Sequence, residues 1–145
     1  VGERLTPLPV AAMQFAVVKP ATGIETETLF ASPLLTRDTG PVILAGSSAN
    51  VELLSSGFGR NDLQRAAQAA CPEVAEAAAL LDAMYGNSRM TGSGSAVFAR
   101  AGEGGQSDES VKQPGATLLA RLPPGWEGRI CRSLHEHPLG GWAKN

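Results

Sequence analysis

NDLQRAAQAACPEVAEAAALLDAMYGNSRMTGSGSAVFA, running from Asn61 to Ala99, carries the densest set of structural signals in the chain. Asn61 or Gly59 can cap a helix start, and Asp62 places negative charge where a helix N-terminus favours it. Pro72 cannot sit in a helix interior without breaking the hydrogen-bond ladder, but it fits a first turn. The stretch therefore predicts two helices, Asp62 to Ala70 and Pro72 to Tyr85. In the second, Val74, Ala77, Ala78 and Leu81 recur at helical spacing and predict a buried stripe. Gly86-Asn87 stops it. In Ser88 to Arg100 two short strand-like pieces flank Gly-Ser-Gly-Ser, which forms a hairpin or a wider glycine loop.

On the N-terminal side, Gln14 to Lys19 (QFAVVK) is rich in Phe and Val and ends at Pro20, as a strand does. Ile24 to Phe30 (IETETLF) either alternates as a strand or starts a short helix. Pro33 to Gly59 is loop-rich, with an extended piece at Pro41 to Ala45. On the C-terminal side, Ala101 to Asp108 is Gly/Ser/acidic and expected to be mobile. A helix is expected over Pro114 to Leu122 and a last strand over Gly128 to Ser133. Strand, helices, strand, strand, helix, strand is the split βαβ order of ferredoxin-like folds. The expected architecture is α+β: an antiparallel sheet with helices on one face. Such a fold hosts many functions and names none.

The chain has 145 residues, enough for one domain spanning 1–145. Formal net charge is -2 with both signs interspersed, which argues against a nucleic-acid partner. The longest apolar run, Val10 to Val18, falls far short of the about 20 residues of a spanning helix. No membrane partner and no secretory signal is read, and a cytoplasmic location is expected. Cys71 and Cys131 are isolated and share no metal-ligand spacing, so reduced thiols are expected. His135 and His137 lack further ligands at suitable spacing and read as a surface tail. Trp126 and Trp142 read as core or interface anchors.

Four pieces in order carry a resemblance. They are the opening VGERLTPLP, the segment VVKPATGIETETLF, the stretch Asn61 to Ala99 and the tail SLHEHPLGGW. Together they resemble the C-terminal domain of the diphosphocytidyl-methylerythritol kinases, a branch of the GHMP family of small-molecule kinases. Kinases of that branch transfer the γ-phosphoryl of ATP to the 2-hydroxyl of a cytidine-diphosphate-bearing substrate, 4-diphosphocytidyl-methylerythritol, in non-mevalonate isoprenoid synthesis. The resemblance implies ATP and Mg²⁺ for a full-length enzyme. It also implies a missing partner, the N-terminal domain with the long Gly/Ser phosphate loop, the catalytic aspartate and a nearby lysine. No run here resembles that loop. No catalytic residue, metal ligand or cofactor bound by this chain alone is therefore expected, and the isolated chain is expected to be inactive. A first residue of Val in place of Met fits a piece of a longer product.

The same resemblance names site residues. Phe30 matches the aromatic that stacks on cytosine, Thr26 a threonine near the same pocket, and Val1 a residue lining it. Thr91, Gly92, Ser93, Gly94 and Ser95 match the family motif beside the phosphate loop, in a support role. A β-branched residue at Gly94 is expected to strain that loop or push it away. Glu25 and Glu27 differ from several relatives and read as surface charge. The competing reading is a stand-alone ferredoxin-like module that binds or senses a small ligand. An upstream coding stretch of about 150 residues with a Gly/Ser phosphate loop separates the two.

Overall fold

The computed structural model describes residues 12–40, 59–103 and 115–134. Four strands form one sheet: β1 (Met13–Lys19), β2 (Arg89–Met90), β3 (Val97–Glu103) and β4 (Glu127–Arg132). Their order is β2-β3-β1-β4, and every neighbouring pair is antiparallel. This is the split βαβ arrangement expected from the element order. In β1 the side chains alternate, with Gln14, Ala16 and Val18 buried and Phe15 and Val17 half-buried. That period of two is the pleat sending successive side chains to opposite faces.

The helices among the described residues are α1 (Thr26–Ala31), α2 (Gln64–Ala70), α3 (Pro72–Tyr85) and a short α4 at residues 115–119. Proline opens α3 at its first turn. Gly86 closes it in the left-handed region at φ 75°, where its N–H reaches the Asp82 carbonyl. A side chain there would crowd the following carbonyl, so glycine suits the stop. Val74, Ala77, Ala78 and Leu81 are the buried residues of α3, as their spacing predicts. They cluster with Ala16, Val18, Val97 and Ala99 of the sheet, Ala66 and Ala67 of α2, and Leu118 of α4. Alanines on both sides of this contact let the α3 backbone lie close over β3 and β1. Each fully buried Val or Leu adds about 1.5–3 kcal/mol of transfer free energy.

Some local expectations shift. Within Ile24 to Phe30, helix begins at Thr26, with Leu29 buried and Phe30 turned out. α2 begins at Gln64, two residues later than Asp62, because Asn61 uses the intervening residues in a turn. The expected mobility at Ala101 is corrected: 101–103 continue β3, where Met13 pairs with Glu103 and Gln14 with Gly102. Backbone pairing to the edge of β1 outweighs the local glycine content. Ser133 extends the β1–β4 pairing past the strand end, its N–H donating to the Met13 carbonyl (2.8 Å) while its Oγ accepts from the Met13 N–H (2.9 Å). Trp126 packs, partly buried, against the core. Cys71 is buried, Cys131 is exposed, and both are free thiols. Val1, Pro41 to Ala45, the histidine pair and Trp142 lie outside the described residues.

Candidate functional site

Thr26 opens α1, and its Oγ1 lies 2.9 Å from the Ser93 Oγ. This hydroxyl pair ties the start of α1 to the glycine loop across 67 positions of sequence. Two residues singled out separately in the sequence are thus brought together. Three residues further along α1, Leu29 is fully buried while Phe30 is 52% exposed. A helix of 3.6 residues per turn puts neighbours about 100° apart, so Leu29 can anchor α1 while Phe30 faces outward. The exposed ring of Phe30 therefore takes no part in the hydrophobic core. Its carbonyl accepts from the Arg37 guanidinium, which fixes the segment after α1.

The glycine loop closes through the Thr91 N–H donating to the Ala96 carbonyl (3.0 Å). Gly92 takes φ 61°, the left-handed region. Gly94 does not, and a Cβ built there meets no atom within 4 Å. The glycine that the backbone requires is therefore Gly92. The strain expected of a β-branched Gly94 has no source in this loop, because backbone strain needs a positive φ or a close neighbour. Thr91, Gly92 and Gly94 are exposed and Ser93 is half-buried. Ser95 is 4% exposed, so its side chain serves the interior of the loop.

Asn61 is the residue whose part in this site the sequence hid. Its Nδ2 donates to the Met90 carbonyl (3.0 Å) and the Gly92 carbonyl (2.7 Å). Its Oδ1 accepts the Leu63 N–H (3.0 Å). Two carbonyls require the amide nitrogen and one N–H requires the oxygen, so the bonding pattern fixes the amide's orientation. The only sequence signal was its suitability as a cap.

Among the described residues, a groove of about 730 Å³ runs beside Phe30, Thr91 and Gly92. Phe98 and the side chains of Arg37, Arg60 and Arg89 also border it. Arg89 lies 5.5 Å over the Phe98 ring and donates to the Gly59 carbonyl (2.8 Å). Arg60 pairs with Asp62 at 3.0 Å, and both side chains meet the Thr39 hydroxyl. Aromatic faces with guanidinium groups nearby suit a ligand that has both a flat ring and negative charge. No group of three or more His, Cys, Asp or Glu comes together among the described residues. They offer no donor set for a divalent cation. No helix among them is long and apolar enough to cross a membrane.

No family model matches the chain. It is 49% identical over 144 residues to a 4-diphosphocytidyl-2-C-methyl-D-erythritol kinase of Methylibium petroleiphilum, covering 99% of this chain and 47% of the relative. A kinase of the same name from Polaromonas sp. is 43% identical over 145 residues, covering 98% of this chain and 43% of the relative. A crystal structure of 4-(cytidine 5'-diphospho)-2C-methyl-D-erythritol kinase superposes with a TM-score of 0.58 at 25% identity. That match covers 89% of this chain and 46% of the other. In sequence and in fold the chain is similar to part of a small-molecule kinase. More narrowly, the chain is homologous over almost its whole length to one part of the 4-diphosphocytidyl-2-C-methyl-D-erythritol kinases. It spans somewhat under half the length of these relatives.

Proposed function

We propose that this chain is the C-terminal, substrate-pocket half of an ATP-dependent kinase that phosphorylates the 2-hydroxyl of 4-diphosphocytidyl-2-C-methyl-D-erythritol. The observation that carries the reading is Phe30: a half-exposed ring at the groove, held out by a fully buried neighbour. An apolar ring kept in solvent gains by stacking on a ligand's base. Thr26 and the ring of Phe30 form the substrate side. Thr91 to Ser95, linked to Thr26 through Ser93, form the side that buttresses the phosphate loop of the N-terminal half. ATP and Mg²⁺ would be required by the joined enzyme, with the charge neutralisation that a cation supplies to a phosphoryl group held by residues outside this half. This half contributes position, not proton transfer: it orients the cytidine end of the substrate so that the hydroxyl meets the γ-phosphoryl.

Steady-state kinetics of Phe30→Ala in the full-length kinase test the reading. KM for the cytidine substrate should rise by the equivalent of about 1–3 kcal/mol, as for a base losing its aromatic partner. kcat should stay close to the parent value, because the ring lies remote from the transferred group. An unchanged KM together with a lowered Tm would make Phe30 a packing residue and overturn the assignment.

A further inference from the structure

We propose that Asn61 is a positioning residue that holds the glycine loop in its working shape, separately from its part in starting α2. The inference rests on the kinase reading above for its kinetic consequence and on geometry alone for its structural one. Asn61 reaches the loop from 29 and 31 positions away, donating to the carbonyls of Met90 and Gly92. Those carbonyls flank Thr91, whose own N–H closes the turn on Ala96. One amide thus fixes the 90–91 and 92–93 peptide groups, which bracket Thr91 and the left-handed Gly92. With both amide hydrogens used and the oxygen bonded to the Leu63 N–H, the head group is fixed at three points.

The two duties use different atoms, so they can be separated. The turn into α2 needs only the oxygen, which Asp supplies as well as Asn does. The loop clamp needs the NH₂ group, which Asp lacks. Asn61→Asp therefore keeps the helix start and turns a carboxylate toward two carbonyl oxygens that lose their donors. The change leaves Thr26, Phe30 and the loop's own sequence intact. A support loop that moves by a fraction of an ångström no longer holds its partner in reacting geometry.

Two measurements on Asn61→Asp test the proposal. The first is amide hydrogen exchange on the 145-residue chain. Exchange at the Thr91 amide, which bonds to the Ala96 carbonyl, should quicken by on the order of tenfold, the effect of about two lost hydrogen bonds nearby. Residues 64–70 should keep their protection. The second is kinetics in the full-length kinase: kcat should fall, or KM for ATP rise, by on the order of tenfold, with KM for the cytidine substrate little changed. If Asn61→Asp does not fold, Asn61→Ser replaces it. Serine also caps a turn, and its short side chain cannot reach both carbonyls. Parental exchange at the Thr91 amide would overturn the clamp. Loss of protection in α2 to the same degree would make Asn61 a helix cap alone. Quickened loop exchange with parental kinetics would remove the positioning role. Absence of kinase activity in the unmutated full-length protein would defeat the kinase reading, while the exchange contrast would still decide the clamp.

Discussion

Leu29 and Phe30 are adjacent residues in opposite environments, and substitutions should separate them. Leu29→Ala removes a fully buried side chain and should cost about 2–5 kcal/mol in denaturant unfolding. Phe30→Ala should leave the unfolding midpoint near the parent's. The loop makes a second contrast. Gly92→Val forces a β-branched residue to φ 61° and should lower stability by about 1–2 kcal/mol and impair ATP-dependent turnover in the full-length kinase. Gly94→Val should fold like the parent, since its Cβ position is open. In the sequence the two glycines of Gly-Ser-Gly-Ser read alike. Only the path of the loop assigns φ, and that path depends on Asn61, about thirty positions away. Tyr85 gives a pH test. Burial raises its phenol above 10.0, and Arg121 offsets part of that. The folded state holds the proton more tightly than the unfolded one. The stability from this difference is therefore intact below pH 10 and lost as pH rises through the folded value. As Tyr85 is the sole tyrosine, a near-ultraviolet absorbance titration reads it directly and should give a midpoint above 10.0.

Helix α3 is the element most plainly written in the sequence. A proline at its first turn, a glycine at its stop and a stripe at i, i+3, i+4 and i+7 are local signals that tertiary contacts did not override. Its fit to the sheet rests on small residues. Ala77→Leu at this fully buried contact should overpack the interface and cost about 1–3 kcal/mol, read as a lowered Tm. An unchanged Tm would mean that the helix can move off β3 without loss. Segment 24–30 is the opposite case. Its alternating polar and apolar residues fit a strand, and its helix is decided by tertiary contact, with Leu29 entering the core. The extension of β3 through 101–103 is likewise decided by its partner β1, not by its own glycine-containing sequence. Elements with internal signals are readable from the chain; elements chosen by a distant partner are not.

At the scale of the molecule, the sheet order and the covering helices follow from the order of elements, because a split βαβ unit has few ways to pack. What the chain can do alone follows from what it holds. On the proposed reading it carries a stacking ring, a hydroxyl pair and a buttressing loop. The groups that grip ATP and accept the hydroxyl proton belong to the other half. Positioning and electrostatics supply nearly all of phosphoryl-transfer catalysis, so half of the arrangement should not turn over. The most direct measurement is an assay of ATP-dependent phosphorylation of 4-diphosphocytidyl-2-C-methyl-D-erythritol, with the product followed by phosphorus NMR. It compares the purified 145-residue chain with a fusion to the part of the Methylibium petroleiphilum relative that the chain does not cover. The account predicts no product from the chain alone and the 2-phosphorylated product, with ADP, from the fusion. Turnover by the chain alone, or a folded fusion that stays silent while the intact relative is active, would contradict it.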